Sequence, residues 1–413
     1  MKVGKRHSTL LASTGSRQRF PVGRPRRVCG SLASQGTSAS DSAMPTARAV
    51  VIPGPHQAVE VLEFPLPDLA EGEALLRVEC SEVCGTDVHL QDGRLLGVPY
   101  PLIPGHVSAG RLSAVRGELR DVHGVALREG DLVTFLDVHR TCHRCWYCLV
   151  AKASTRCPER KVYGITYGAQ DGLCGGWAEY VHLKAGTRVI RLGDTSARAF
   201  LIAGCSLPTA LHALERARIQ IGDFVLVLGT GPVGLAAIAL ARAAGAGCVL
   251  AIGGPAGRLP TATRFGCDAV LDFTALPAEA RVRWVQDHTE GRGADVVIEA
   301  TGAPQAVVTA MRCARSAGRV VIVGQYTDHG EVAFNPHKDL NQKHLEVLGC
   351  WGSDYSHFHR AVQVSGHPRL GTPWREVSVR EYSLDRLDEA LAAVRTGEVV
   401  KALVVPRARA TSS

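Results

Sequence analysis

The sequence predicts an α/β chain in which a β-rich, antiparallel domain is followed by a doubly wound parallel sheet. Its 413 residues are more than one ordinary core holds, which predicts two domains. Up to about residue 200, short β-type runs alternate with Pro/Gly turns and no long helical period occurs. From there to residue 348, strands alternate with helices, as in a parallel sheet covered on both faces.

The N-terminal 43 residues carry most of the net charge of +8. They contain eight basic residues and one acid, which leaves about +1 for the other 370 residues and predicts no nucleic-acid partner. This Arg- and Ser-rich segment predicts a disordered leader or over-extended start before Met44, or else a transit peptide. No apolar run approaches the ~20 residues of a membrane span, so we expect no membrane partner. The expected location is cytoplasmic, or organellar if the leader is a transit peptide.

The first β-type runs lead into a cluster of metal-binding and proton-transferring side chains. Strands are predicted at 49–52, 59–62, 73–78 and 132–135. After the third comes Cys84-Gly85-Thr86-Asp87-Val88-His89, with His106 a short way downstream. Thiolate and imidazole are zinc ligands, but cysteine is also a common small core residue. The cluster alone leaves a metal site and a buried cysteine equally open.

Four of the thirteen cysteines lie together between residues 142 and 157. In a long chain without a secretory signal, such bunching indicates metal rather than disulfides. Four thiolates fill a tetrahedral shell and leave no open position, so the predicted site is a structural zinc. The predicted ligands are Cys142, Cys145, Cys148 and Cys157.

The second half begins with a helix near Ser196 that is predicted to be interrupted near Pro208. The apolar run 224–228 predicts a buried strand, and 235–244 a helix. Between them lies the pattern G-x-G-x-x-G, in which the glycines permit the tight turn, the approach of a pyrophosphate and close helix packing. The predicted dinucleotide-binding residues here are Gly229, Thr230, Gly231, Pro232, Val233 and Gly234.

The choice between NAD and NADP stays open. The carboxylate that would bind the ribose hydroxyls is expected at about position 253, where the chain has Gly253. Its absence removes repulsion against a 2′-phosphate, but no Arg follows directly. Arg258 is the candidate phosphate partner, or else a solvated helix residue.

The remaining alternation completes the predicted sheet. Strands are predicted at 249–252, 269–271, 295–299 and 319–324, with helices at 278–288 and 305–316. After residue 348 the pattern changes, and a strand at 402–405 is predicted to return to the first domain. The predicted division is 1–43 leader, 44–200 catalytic domain, 201–348 nucleotide-binding domain and 349–413 the rest of the catalytic domain.

Together these motifs resemble the zinc-dependent medium-chain dehydrogenase/reductase family, the zinc alcohol dehydrogenases. The resemblance covers residues 47–406 and also rests on Pro104-Gly105-His106, Gly175-Gly176, 299–302 and 323–325. It implies a GroES-like β-rich catalytic domain and a Rossmann domain, with Thr301 and Gly324 at the cofactor. It implies catalytic and structural zinc, NAD or NADP, and hydride transfer between an alcohol or polyol and NAD(P)⁺ by way of a zinc-bound alkoxide.

The resemblance also implies a role for each residue of the cluster. Cys84 and His106 are the expected ligands of the catalytic zinc, with Cys205 as the third ligand or, in the alternative, a core cysteine. Asp87 resembles the carboxylate that orients the ligating histidine, and Thr86 the hydroxyl that takes the substrate proton. His89 resembles the outlet of that relay, which runs through the cofactor ribose. The alternative for His89 is a surface histidine.

One departure from the family concerns Val107, where a Glu is usual. It predicts a more apolar rear to the zinc, with either slower ligand exchange or a water molecule in place of the carboxylate. Three hypotheses follow: an alcohol or polyol dehydrogenase, an NADPH-dependent zinc-type carbonyl or enoyl reductase, and a non-catalytic nucleotide-binding homologue.

The expected partners are a small alcohol or carbonyl substrate and a second copy of the chain, as dimer or tetramer. Trp177, Tyr326, Trp351 and Tyr355 are candidates for the pocket or for the core, and no basic cluster marks a phosphate or carboxylate site.

Overall fold

The computed structural model describes residues 45–406, and the predicted leader at 1–43 lies outside them. The strands are β1 (Thr46–Val51), β2 (Glu60–Pro65), β3 (Ala74–Val83), β4 (Ser108–Val115), β5 (Leu132–Phe135), β6 (Val138–Arg140), β7 (Lys161–Val162), β8 (Tyr180–Leu183), β9 (Val189–Arg191), β10 (Phe224–Leu228), β11 (Cys248–Gly253), β12 (Ala269–Asp272), β13 (Ala294–Glu299), β14 (Ala314–Ile322), β15 (Glu346–Gly349), β16 (Val379–Tyr382) and β17 (Lys401–Val404).

The helices lie mainly in the second half. They are α1 (Gly85–Gln91), α2 (Trp146–Leu149), α3 (Ala197–Ala203), α4 (Ser206–Ala217), α5 (Pro232–Ala243), α6 (Leu259–Arg264), α7 (Ala278–Asp287), α8 (Pro304–Cys313), α9 (Tyr355–Gly366), α10 (Thr372–Arg375) and α11 (Leu387–Thr396). Among the described residues, no single helix is long and apolar enough to cross a membrane. The pair α3 and α4, bent by 46°, meets that test on length and composition alone.

Two large sheets organise the chain. A seven-stranded sheet has the order β16-β17-β3-β4-β5-β9, with β8 paired to β3. Its pairings are antiparallel except for β16 with β17. Because β17 pairs with β3, the end of the chain joins the sheet begun by residues 74–83. The α/β fold class predicted from the sequence is confirmed.

The second sheet is parallel throughout, in the order β12-β11-β10-β13-β14-β15. Alternate residues of β10 enter two different cores: Val225 and Val227 face one, Leu226 and Leu228 the other. A strand buried on both faces needs a continuous apolar run, which explains the sequence of β10.

Two boundaries differ from the prediction. The break after α3 lies at Gly204 and Cys205, whereas Pro208 sits in the first turn of α4, where its missing N–H costs no hydrogen bond. Gly204 adopts a φ of +48° at this break. The helix predicted to reach residue 316 ends at Cys313, because Ala314 already pairs with Ala294 of β13.

Candidate active site and metal centres

Cys84 lies at the junction between β3 and α1. The strand ends at Val83, and the Cys84 amide donates to Asp87 Oδ2 at 2.8 Å, which caps the helix. This hydrogen bond fixes the cysteine just beyond the C-terminal end of β3, an interior strand of the seven-stranded sheet, where α1 begins.

His106 and Cys205 reach the same point from two other segments. His106 precedes β4, and Cys205 occupies the turn between α3 and α4. The ligand atoms of Cys84, His106 and Cys205 all lie within 4.8 Å of one another, and Cys84 Sγ is 3.9 Å from His106 Nε2. Gly105 permits this approach, because a Cβ there would meet Trp177 at 2.6 Å and the backbone has a φ of +87°.

The three side chains lie close enough to shift one another's pKa values. Hydrogen bonding from Cys205 lowers the pKa of the Cys84 thiol well below its usual value, and the same contact raises the pKa of Cys205. Burial opposes the charge on His106, but the Cys84 thiolate beside it raises the pKa of His106 to about 10. The cluster therefore has the thiolate character that metal ligation requires.

The donor set fits a zinc ion. Two sulfurs and one imidazole nitrogen from three segments leave a fourth tetrahedral position open, as in catalytic zinc sites. Asp87 Oδ1 and His106 Nδ1 are both buried and have no hydrogen-bond partner among residues 45–406, and they lie 4.0 Å apart. Ligation through Nε2 would leave Nδ1–H facing this carboxylate, although 4.0 Å is too long for a hydrogen bond as the atoms stand.

The four cysteines of the lobe also converge. Their sulfurs lie within 4.8 Å of one another. The Cys142 sulfur accepts a hydrogen bond from the Cys145 amide, and the Cys157 sulfur accepts one from the Cys142 amide, both at 3.3 Å. A backbone amide hydrogen bond, from Arg144, lowers the pKa of Cys142 to about 7, whereas desolvation raises the pKa of Cys148 to about 12. Four thiols at this spacing suit a closed, structural zinc shell.

The predicted relay residues lie at different depths. Thr86 lines the cavity beside Cys84. His89 does not line it; its ring is 6.2 Å from the ring of Tyr326 and 5.7 Å from that of His329. The His89 Nδ1 atom is buried without a partner in the described part of the chain. Thr86 and His89 are thus close to the site but are not joined by a direct hydrogen bond within residues 45–406.

A cavity of about 220 Å³ lies between the two sheets, in front of the Cys84 cluster. Its wall includes Tyr326 and Trp351, whose rings stack at 5.4 Å. Of the other two candidate aromatics, Trp177 is core, with its indole N–H donating to Glu82 O, and Tyr355 lines a neighbouring cavity. The rest of the wall comes from residues of the parallel-sheet region, here called the nucleotide-side residues: Val233, Ala300, Thr301, Val323 and Gly324.

The glycine-rich turn connects β10 to α5 as the motif predicted. Gly229 has a φ of +105°, and a Cβ there would meet Ala300 O at 2.8 Å, while Gly234 packs against Gly229 O. Gly231 caps α5 and faces open space, which leaves the helix N-terminus accessible to an anion. Gly229, Thr230 and Gly231 line a second cavity of about 510 Å³, whereas Pro232 and Gly234 only shape the turn.

The end of β11 explains the missing carboxylate. A Cβ on Gly253 would lie 2.5 Å from Thr230 Cγ2 and 2.6 Å from its Oγ1, so a side chain at 253 does not fit beside Thr230. Arg258 lines the same cavity, but its guanidinium donates to Gly397 O at 2.7 Å and Val399 O at 3.0 Å. It is neither free nor simply solvated. Arg281 also lines this cavity, and no Asp or Glu does so among the described residues.

Five residues near the site were missed from the sequence. Glu82 and Lys401 form a buried ion pair beside Cys205, although Glu82 stands only two residues before Cys84. Arg160 and Asp137 line the cavity, and the Arg156 guanidinium lies 4.0 Å above the Trp351 ring. The cavity wall therefore includes one arginine, Arg160, together with the acid Asp137. One signal in the sequence could have indicated Glu82. The alternation of side chains along β3 places this acid on the inward face of the strand.

Comparison with known proteins identifies the class. Residues 70–194 match the alcohol dehydrogenase GroES-like domain, and residues 232–365 match the zinc-binding dehydrogenase domain. The chain belongs to the zinc-dependent alcohol dehydrogenase family and is an oxidoreductase that acts on CH–OH donors.

The alignments with individual relatives extend over nearly the whole length of each relative. The 5-exo-hydroxycamphor dehydrogenase of Pseudomonas putida is 33% identical over 366 residues, which are 87% of this chain and 99% of the relative. A solved alcohol dehydrogenase of Thermotoga maritima has a TM-score of 0.83 and 32% identity over 88% of this chain and all of its own. A Sinorhizobium meliloti 1021 structure, described as a zinc-binding dehydrogenase bound to NADP, has a TM-score of 0.75 and 27% identity over 88% and 100%.

Proposed function

We propose that this chain oxidises a secondary alcohol or polyol with NADP⁺, using Cys84, His106 and Cys205 to hold a catalytic zinc. One observation carries the proposal: these three side chains and the nucleotide-side residues Thr301 and Gly324 line the same cavity. A substrate in that cavity can therefore contact both the metal position and the nicotinamide position.

The chain's own residues divide the chemistry. A zinc ion held in this site would act as a Lewis acid and lower the pKa of a bound alcohol. Thr86 lies at the cavity and is proposed to accept the hydroxyl proton while it releases its own hydroxyl proton, and His89 is proposed to take up a proton from the site and pass it toward solvent. Asp87 orients His106 and remains fully buried. The packed aromatic wall of Tyr326 and Trp351 excludes water from the reacting atoms.

The preference for NADP⁺ over NAD⁺ is inferred from the nucleotide cavity. It is lined by Arg258 and Arg281 and by no described acid, and Thr230 excludes a side chain from position 253. A 2′-phosphate would meet positive charge there, and no carboxylate would compete for it. Comparing kcat/KM for NADP⁺ and NAD⁺ at one alcohol concentration tests this, and an NAD⁺ preference would contradict it.

The substrate class follows from the cavity wall. Val107, Val323 and Phe358 make part of it apolar, while Asp137 and Arg160 add a polar side. This mixture suits a cyclic or branched secondary alcohol with one further polar group. The proposed test is a panel of primary, secondary, alicyclic and polyhydroxy alcohols, followed by nicotinamide absorbance. Turnover confined to primary alkanols would contradict it.

The carbonyl reductase alternative uses the same geometry in reverse. It is favoured if NADPH-driven reduction of the matching ketone exceeds alcohol oxidation at neutral pH. A non-catalytic role is less well supported, because the cavity combines a zinc donor set with nucleotide loops. Absence of turnover in both directions, in a chain with full metal content, would favour it.

Assembly, location and domain limits are further parts of the proposal. Trp146, Leu149 and Val150 are large apolar side chains that are mostly exposed on the cysteine lobe, which supports a homo-oligomer. Light scattering of the purified chain tests this, and a monomer would contradict it. We retain a cytoplasmic location and the limits 44–200, 201–348 and 349–413, the last supported by the pairing of β17 with β3.

A further inference from the structure

A buried ion pair lies directly beside the proposed zinc site. Glu82 and Lys401 have exposed fractions of 1% and 3%, and their side chains form an ion pair. Lys401 opens β17, which pairs antiparallel with β3 near Glu82. A buried ion pair rarely adds stability over apolar residues of the same size, so its presence here needs another explanation.

The carboxylate of Glu82 contacts Cys205 at two points. Oε2 accepts the Cys205 amide at 2.7 Å, and Oε1 accepts the Cys205 thiol at 3.4 Å as well as the Lys401 ammonium. Gly204 makes room, because a Cβ there would collide with Glu82 Oε2 and the backbone has a φ of +48°. The turn that presents Cys205 is thus built around this carboxylate.

Glu82 also stands next to Val107. Its amide donates to Val107 O at 3.0 Å, so the two residues are neighbours across adjoining strand segments. Val107 is buried and apolar. The region beside the metal position is nevertheless not apolar, because the neighbouring strand brings a carboxylate and an ammonium to it.

We propose that Glu82 is a positioning residue of the zinc site, which fixes Cys205 as the third ligand by accepting the hydrogen bond of its backbone amide. The proposal rests on the proposed function. Two ligand thiolates and Glu82 carry three negative charges, and a divalent zinc and Lys401 carry three positive charges. Lys401 therefore neutralises Glu82 so that the carboxylate does not repel the thiolates it orients.

The test measures zinc directly in the full-length protein. Glu82→Gln removes the charge, and the double variant Glu82→Met with Lys401→Met replaces the pair by apolar residues of similar volume. Zinc content and the rate of zinc transfer to a chromogenic chelator are measured, with the thermal midpoint as a folding check. Asp339→Asn is the matched control, since Asp339 is a buried carboxylate paired with Arg312 away from both cysteine groups.

We expect one of the two zinc ions to leave at least tenfold faster in both Glu82 variants, with the double variant folded and the Asp339→Asn protein unchanged. A purely structural ion pair predicts the wild-type release rate in the double variant, and that result would overturn the proposal. The outcome is independent of turnover. A wild-type chain with two zinc ions and no alcohol oxidation refutes the proposed function, while equal release rates in an active enzyme refute only the role of Glu82.

Discussion

Asp87 Oδ1 faces His106 Nδ1 across 4.0 Å, and neither buried atom has a hydrogen-bond partner within residues 45–406. Buried polar atoms are nearly always paired, so two orphans facing one another indicate an arrangement completed by a ligand on the far side of the ring. Burial, followed by the charge of Cys84, raises the pKa of Asp87 well above its usual value. A metal at the Cys84 cluster would offset that negative charge.

Asp87→Asn is expected to weaken zinc binding at the Cys84 site by about 10- to 100-fold, because the ligating histidine loses its charged partner. The amide oxygen of Asn can still accept the Cys84 N–H, so α1 should remain capped. Competition with a chelator of known affinity measures the loss. Unchanged zinc affinity in a folded Asp87→Asn protein would exclude the orienting role.

Gly253→Asp is expected to destabilise the chain rather than create an NAD⁺ site. The new Cβ would meet Thr230 at 2.5 Å, and overpacking of this kind costs about 1–3 kcal/mol. Urea unfolding measures the free-energy change. Adding Thr230→Ala removes both colliding side-chain atoms and should restore part of the stability; no loss in the single variant would show that the turn adapts freely.

The acid side of the pH profile should report His89. Burial lowers its pKa below the ordinary 6.5, helped by His329 and Arg94 and opposed by Cys84 and Asp92. Neutral His89 accepts a proton, so kcat/KM for oxidation should fall as the pH drops through that lowered pKa. Arg94→Gln removes a positive charge, which raises the pKa and moves the acid limb to higher pH.

The matched control for this shift is Arg120→Gln, since Arg120 pairs with Glu118 on an exposed loop outside the cavity wall. Its profile should coincide with that of the wild type. An acid limb that stays in place in Arg94→Gln, or that moves to lower pH, would remove His89 from the relay.

Cys145→Ser should lower the zinc content from two ions per chain to one, because one thiolate of the four-cysteine lobe is lost. The lobe is a loop with few regular elements, so its folding depends on the metal and the thermal midpoint should fall. Metal analysis and calorimetry check both effects. Cys248→Ser, outside both clusters, is the control and should retain two ions; a full complement in Cys145→Ser would refute the lobe site.

The fold and the order of the motifs could be predicted because they depend on local patterns. The apolar run of β10 and the glycines after it specify a strand, a turn and a helix without any distant information. The helix break was predicted at the wrong residue because proline usually marks the end of a helix, whereas Pro208 lies in the first turn of α4, where proline is tolerated. The true break, at Gly204, depends on the distant side chain of Glu82.

The surroundings of the site could not be predicted for the same reason. Lys401 is separated from Glu82 by more than 300 residues, and only the pairing of β17 with β3 brings them together. Arg156 and Arg160 belong to the cysteine lobe by sequence, yet they reach the cavity wall at Trp351. Sequence spacing carries no information about such contacts.

Replacement of Cys84 by Ser tests the central claim most directly, with zinc content, NADP⁺ binding and alcohol oxidation measured on the same preparation. We expect the wild type to hold two zinc ions and to oxidise alcohol. The Cys84→Ser protein should hold one ion, bind NADP⁺ normally because the nucleotide cavity is untouched, and show no turnover. Wild-type turnover in Cys84→Ser would contradict the account.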